Sequence, residues 1–186
     1  LQGRAILTNV GAMTALEQLN STNKRLQTTQ LRITTGLKVN GPKDDAATFQ
    51  IAQRLRGDIS GTKAVKTALA NGEATINVAI SGGKAIADLL VEMKAKIVQA
   101  NQAGLDAASR TALDSDFRAL REQISTIVAT AEFNSVNLIA SGATTTSVLS
   151  TVDGSIIAVS AQSMDTSTLG IASVDLTTSA GASTAL

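Results

Sequence analysis

The chain has 186 residues, and 16 Lys and Arg against 15 Asp and Glu give it a formal net charge of +1. It contains no His and no Cys, which excludes His-based triads, His metal ligands, thiolate nucleophiles and disulfides. Trp and Tyr are absent and Phe occurs three times, so there are no platforms on which single-stranded nucleic acid could stack. We therefore predict a protein that is not an enzyme and that needs no cofactor or metal.

The first predicted element is a helix from Ala12 to Leu37, whose apolar positions step alternately by four and three. Its other faces carry Thr, Ser, Asn and Gln, which are weak helix formers, so we expect it to need a partner. Asn23 interrupts the apolar pattern and is a candidate for fixing register. The predicted contact positions of this helix and the next, which we call the assembly seam, are Leu16, Leu19, Asn23, Leu26, Ile33, Leu37, Leu55, Leu69, Ile76 and Leu90.

Four residues are expected to end this helix and begin the next. Gly36 can supply the left-handed residue that closes a helix. Pro42, the only proline, biases the residue before it out of the helical region. Asp44 and Asp45 then offer an N-cap side chain and a favourable charge at the positive end of the second helix.

The second helix is predicted from Asp44 to about Asn101, which would make it about 85 Å long at 1.5 Å per residue. Such a length suits a rod better than a globular core. Gly72, Gly82 and Gly83 each cost about 1 kcal/mol relative to Ala in a helix. Glycine at a contact position also lets another element approach closely, and we expect this for Gly72 and Gly83.

A third helix follows a short turn at Gly104. Either Asp106 or Ser109 is expected to cap it, and apolar residues then step by four and three from Leu113 to Ala131. A short turn between two such patterns predicts an antiparallel helical hairpin with the end of the second helix.

After Glu132 the sequence becomes rich in Ser, Thr, Ala, Gly and β-branched residues. Residues 146–152 and 155–161 flank Asp153-Gly154, which predicts a two-residue hairpin turn of type I′. Residues 166–186 are expected to be loop, weak strand or disordered. The predicted fold class is mainly α, a long-helix coiled-coil rod with a small β-hairpin region after residue 132, and no later apolar pattern pairs with its helices.

The charge is uneven along the chain. The first third is basic, which is consistent either with an acidic partner surface or with a solvated helix face. No signal-peptide core is present, and no apolar run is expected to approach a membrane span, so we predict no membrane insertion and no nucleic-acid partner.

Three motifs resemble the N-terminal half of bacterial flagellin over roughly Ala5 to Leu138. The first is Ile6-Leu7-Thr8-Asn9-Val10 with Ala15-Leu16 and Leu19-Asn20. The second combines Thr35-Gly36-Leu37-Lys38-Val39 with Lys43-Asp44-Asp45-Ala46-Ala47, and the third is Glu132-Phe133-Asn134-Ser135-Val136-Asn137-Leu138. Residues 156–176 are similar, more weakly, to the hairpin region of short flagellins.

The resemblance implies four segments. Residues 1–35 would be the N-terminal core helix, disordered in the free monomer, and residues 36–45 the spoke linker. Residues 46–131 would be the rod-domain helices, and residues 132–186 the β-hairpin with a small polar tail.

The implied function is that of a structural subunit of the flagellar filament, secreted and located in the extracellular flagellum. The implied partners are other flagellin subunits, the flagellar type III export apparatus, a chaperone and the filament cap. Two alternatives stay open: a hook–filament junction protein, and a helical surface adhesin or signalling module.

Two departures from the family pattern concern the chain ends. The opening LQGR is not the usual one, and Leu7 stands where Asn is typical. Flagellins also end with helices that pair with the N-terminal ones, so we expect either a fragment or a partner that supplies those helices.

A third departure lies in residues 90–99, the stretch that an innate immune receptor reads in flagellins that it detects. Glu92 and Lys96 stand where that pattern has Arg and Leu, whereas Asp116 keeps an acid on the neighbouring helix. Charge reversal at a central contact costs affinity, so we expect weak or absent receptor activation.

Overall fold

The computed structural model describes residues 9–185 and confirms a mainly helical chain with a small hairpin region. The helices are α1 (Val10–Thr35), α2 (Ala46–Ala100), α3 (Ala107–Thr130) and α4 (Ser179–Thr184), and the strands are β1 (Glu132–Phe133), β2 (Val136–Asn137), β3 (Thr146–Leu149) and β4 (Ile156–Val159). The chain divides into two compact units, which meet at Ser60 and Gly61 within α2. The opening LQGR and the family-like Ile6, Leu7 and Thr8 lie outside the described residues.

In the first unit, α1 has a cap at each end. The side chain of Asn9 accepts the N–H of Ala12 at 3.2 Å. Gly36 adopts φ 69° and donates its N–H to the carbonyl of Arg32 at 2.8 Å, which confirms its predicted role. Because the helix ends at Thr35, the assignment of Leu37 to a helical position is wrong.

The two aspartates that precede α2 have different roles. Asp45 accepts the N–H of Thr48 at 3.1 Å and its hydroxyl at 2.5 Å, so Asp45 is the N-cap. Asp44 instead accepts the N–H of Asn40 at 3.1 Å and stabilises the turn that contains Pro42.

In the second unit, the C-terminal half of α2 packs against α3 in the predicted antiparallel orientation. Lys96 pairs with Asp116, and nearer the connecting loop Arg110 donates to the carbonyl of Ala100. Asp106, rather than Ser109, caps α3, because its carboxylate accepts both the N–H and the hydroxyl of Ser109. The core of this unit is Ile86, Met93, Ile97, Ala100, Phe117, Leu120, Ile124, Val128, Ala131, Ile139, Leu176 and Ala182.

The predicted type I′ turn at Asp153-Gly154 is wrong. Strands β3 and β4 are antiparallel, and their register ends at the pair Leu149 and Ile156, which leaves a six-residue connection. Serine and threonine bonds build this loop: the N–H of Ser155 donates to the Thr151 hydroxyl at 3.1 Å. Asp153 does not have the positive φ that a type I′ turn requires.

A two-residue turn with both φ values positive occurs earlier, between β1 and β2. Asn134 has φ 50° and Ser135 has φ 62°, and the flanking Phe133 and Val136 are paired. The sequence analysis quoted this stretch only as a family motif and missed the turn.

The C-terminal tail is ordered structure, so the expectation of loop, weak strand or disorder is wrong for residues 179–184. These residues form α4, which begins where the hydroxyl of Thr178 accepts the N–H of Gly181 at 3.0 Å. Leu176 and Ala182 are completely buried against α2 and α3. Tertiary packing therefore orders a segment whose composition is small and polar.

The expectation that no run approaches a membrane span is also wrong on composition. Among the described residues, α2 is one helix long and apolar enough to cross a membrane by those two measures alone. Only 17% of its most apolar window is buried within the chain. The apolar side chains of α2 therefore present a surface suited to contact with another molecule.

Candidate assembly surfaces

The first candidate surface is the seam of α1, which is wholly exposed. The exposed fractions are 59% for Leu16, 56% for Leu19, 54% for Leu26 and 77% for Ile33. Asn23 is exposed beside them, and no residue of α1 is buried. A single helix of 26 residues is marginally stable in water without tertiary packing, so this apolar face requires a partner.

The remaining seam residues are more varied in exposure. Leu55, in the first unit, is 55% exposed, and Leu69, in the second, is 38% exposed. Ile76 and Leu90 are half-buried, as is Leu37 beyond the end of α1. Leu90 packs against the core of the second unit, so that position contributes to folding as well as to any assembly surface.

The second candidate surface lies where α2 meets the β3–β4 hairpin. Gly61, Gly72 and Gly83 recur every 11 residues, which is close to three helical turns and places them on one face. An ideal Cβ would lie 2.8 Å from Cγ1 of Val152 at Gly61 and 2.7 Å from Cγ2 of Val148 at Gly72. The predicted close approach at Gly72 is therefore confirmed.

Two further glycines of α2 also contact other elements. At Gly83 an ideal Cβ would lie 3.4 Å from the sulfur of Met164, which confirms a packing role there. At Gly82 the nearest atom is Cδ1 of Ile139, at 3.0 Å. The sequence analysis did not identify Gly61, because its partner Val152 follows it by 91 residues and no local pattern links the two.

Two apolar grooves lie along this same face of α2. One, of about 430 Å³, is bounded by Ile76, Ile80 and Gly83 on the helix and by Leu138, Val159 and Met164 opposite. The other, of about 280 Å³, lies between Leu69 and Gly72 on the helix and Val148 and Ile157 on the hairpin. Ile76 and Val159 border both, so the grooves form one apolar trough.

The C-terminal segment 171–185 is held on α2 and α3 by polar contacts to its backbone. Asp114, which is 4% exposed, accepts the N–H of Leu176 at 2.9 Å and Nε of Arg118 at 2.5 Å. Arg121 donates to the carbonyl of Ala172 at 2.8 Å, and Asn101 to that of Ala182 at 2.7 Å. Asp114 thus satisfies a buried amide, a structural role that the spacing of acids along α3 did not indicate.

The residues compared with the immune-receptor stretch form a small charged surface on α2 and α3. Nζ of Lys96 lies 2.6 Å from Oδ2 of Asp116, and Glu92 is exposed one turn before Lys96. The acid that the family pattern retains is therefore engaged by the lysine that replaces a leucine. Weak receptor activation stays a prediction.

Four carboxylates are stabilised in their charged form by neighbouring hydroxyl and amide groups. The Thr48 hydroxyl lowers the pKa of Asp45, and the Ser109 hydroxyl lowers the pKa of Asp106. The hydroxyls of Thr168 and Thr177 similarly lower the pKa values of Asp165 and Asp175. Each bond orders a turn or caps a helix, and among the described residues no group of three acids is placed to hold a metal.

The family model described as the bacterial flagellin N-terminal helical region matches residues 6–145. Flagellin FljM of Caulobacter vibrioides is 40% identical over 181 residues, 97% of this chain and 66% of that protein. Flagellin A of Rhizobium meliloti is 34% identical over 153 residues, 82% of this chain and 38% of that protein. The chain thus spans about two thirds of the length of the Caulobacter relative.

Among solved structures, the crystal structure of Bacillus cereus flagellin matches with a TM-score of 0.47 and 22% identity. The match covers 67% of this chain and 69% of that chain.

Proposed function

The chain belongs to the bacterial flagellin family, and we propose that it is a structural subunit of the flagellar filament that self-assembles by helical packing for motility. Its partners are other flagellin subunits, and it acts in the extracellular flagellum. Delivery by the flagellar type III export apparatus, with a chaperone and the filament cap, belongs to the same proposal.

The observation that carries this proposal is the exposed seam of α1. Its leucine and isoleucine side chains are more than half exposed, although they recur at the spacing of a helix that packs against other helices. Fully burying one such side chain stabilises by about 1.5–3 kcal/mol, so covering four of them is a substantial driving force for association. Since the described chain buries none of them, we propose that neighbouring subunits do.

The α2 trough adds a second site of the same kind. Its floor is low at Gly72 and Gly83, where a partner backbone can approach closely, and its walls are aliphatic. Helices with small residues on one face pack at short interaxial distance, because no side chain separates them. We propose that this trough, like the α1 seam, is covered in the assembled filament.

Seeded elongation tests the proposal. Leu26→Ser and Ile33→Ser each remove a large apolar side chain from the seam while leaving the core of the second unit intact. We expect either change to slow addition to filament seeds at least about tenfold, which corresponds to a loss of about 1.4 kcal/mol per contact. Electron microscopy of labelled ends measures the elongation.

Leu31→Ser is the matched control. Leu31 is a similarly exposed leucine of α1, at 51%, but lies off the seam spacing. Equal slowing by the control would show that the seam is not the contact surface. Failure of the wild-type chain to add to seeds or to self-associate would overturn the proposed function.

A further inference from the structure

The two ends of the chain carry opposite charge in a form that the apolar seam does not explain. Residues 9–60 contain seven Lys and Arg against four Asp and Glu, a net charge of +3. Residues 122–185 contain no Lys or Arg and five acids, a net charge of −5. The acids of this acidic C-terminal region are Glu122, Glu132, Asp153, Asp165 and Asp175.

The positive charge is concentrated on one side of α1. At 100° per residue, Lys24, Arg25 and Arg32 fall within an arc of about 100°, which we call the basic face. Leu26 and Ile33 lie roughly opposite, so a partner that covers the seam leaves the basic face open. All three basic residues are exposed.

The basic face is unpaired in the described part of the chain. The ion pairs there are Lys96 with Asp116 and Arg118 with Asp114, and both are in the second unit. The acids Glu122, Glu132 and Asp153 are likewise exposed and take part in neither pair. Two complementary surfaces are therefore available on every copy.

We propose that the basic face of α1 in one copy docks against the acidic C-terminal region of a second copy, and that this attraction steers subunit addition. The proposal rests on the proposed function and names a polar contact in the same assembly. A contact between two different surfaces of identical chains is heterologous, and a heterologous contact that does not close propagates into a filament. Complementary charge raises the rate of encounter and fixes register more than it raises affinity.

A charge-reversal cycle on the full chain tests the pairing. K24E/R25E/R32E reverses the basic face, and E122K/E132K/D153K reverses three exposed acids of the acidic region. We expect each triple variant to slow seeded elongation about tenfold at about 50 mM NaCl, and the combined six-site variant to recover most of that loss. The wild-type rate should also fall several-fold as NaCl rises to about 300 mM, because the charges are screened.

K63E/K66E/K94E is the matched control. It changes the net charge by the same amount, from exposed lysines that lie outside the basic face. We expect this control to elongate at close to the wild-type rate. If it slows addition as much as K24E/R25E/R32E does, or if the six-site variant recovers nothing, the pairing is overturned and net charge alone is responsible.

Sedimentation velocity separates this proposal from the proposed function, because a dimer needs only one contact. Salt-sensitive dimers that K24E/R25E/R32E abolishes, without filaments, would support the pairing and contradict the filament function. Filaments that are insensitive to all reversals would support the function and overturn the pairing. Charge pairing within one copy would give a response that does not depend on protein concentration, and would also overturn it.

Discussion

Val148 occupies the space that a β-carbon would fill at Gly72, with its Cγ2 2.7 Å from the ideal position of that atom. Valine is stiff at χ1, so its methyl groups cannot easily turn away. The β3–β4 hairpin therefore rests on α2 at a position where only glycine fits without movement.

Gly72→Ala is expected to destabilise the second unit. Overpacking costs about 1–3 kcal/mol, whereas the gain in helix propensity is about 1 kcal/mol, so the cost prevails. Chemical unfolding followed by circular dichroism measures the change. The double variant Gly72→Ala, Val148→Ala should regain stability relative to the sum of the single changes, because the clash is removed.

Gly57→Ala provides the control for that experiment. Gly57 lies in the same helix, but nothing approaches within 4 Å of the position that a Cβ would occupy. We expect this change to raise stability by about 0.5–1 kcal/mol. If Gly72→Ala stabilises as much as Gly57→Ala does, the hairpin does not pack on α2 as described.

Asp114→Ala is expected to cost about 2–4 kcal/mol of unfolding free energy. The change removes two hydrogen bonds to a charged acceptor and leaves the buried amide of Leu176 without a partner. Urea unfolding gives the stability, and hydrogen exchange should show faster exchange at Leu176. Asp116→Ala removes an exposed ion pair worth at most about 1 kcal/mol, and equal losses in the two variants would contradict the role of Asp114.

Stability of the second unit should fall as acid is added. The pKa values of Asp106, Asp165 and Asp175 lie below the ordinary value of 3.8 in the folded chain, because hydroxyl groups donate to each carboxylate. Their contribution is complete above the unfolded pKa and is lost as pH falls through the folded pKa. We expect a constant melting temperature above about pH 5 and a decline below about pH 4.

Asp106→Asn isolates one of these groups, because asparagine caps a helix as well as aspartate does and does not titrate. The variant should lose less stability between about pH 5 and about pH 3 than the wild type does. An identical decline in both proteins would show that the Ser109 bond to Asp106 does not contribute to the acid response.

Ser135→Gly is expected to stabilise the turn between β1 and β2. Ser135 has φ 62°, a left-handed conformation that costs a residue with a side chain about 1–2 kcal/mol and costs glycine almost nothing. Thermal unfolding should shift upward. Asp153→Gly, in the other hairpin, should produce no such gain, because Asp153 lacks a positive φ.

The helices and their ends could be predicted from the sequence because their signals are local. Gly36, Asp45 and Asp106 act within four residues of themselves. The close approach at Gly72 could also be predicted, because a glycine at a regular contact position of a helix leaves room for another element to come near.

The tail and the hairpin turns could not be predicted, because long-range contacts decide them. Leu176 is an isolated apolar residue in a polar segment, and the carboxylate that orders it lies 62 residues earlier. The turn at Asn134-Ser135 lacks glycine, so the usual turn signal pointed instead to Asp153-Gly154. Seam residues such as Leu26 are recognisable by their spacing, but spacing does not identify the surface that covers them.

Limited proteolysis with mass spectrometry, in the presence and absence of filament seeds, tests the central claim most directly. If neighbouring subunits cover the α1 seam, the free chain should lose residues up to about Thr35 while the second unit resists cleavage. Seeding should then protect α1. An α1 that resists protease in the free chain, or that remains equally sensitive after seeding, would contradict assembly through this helix.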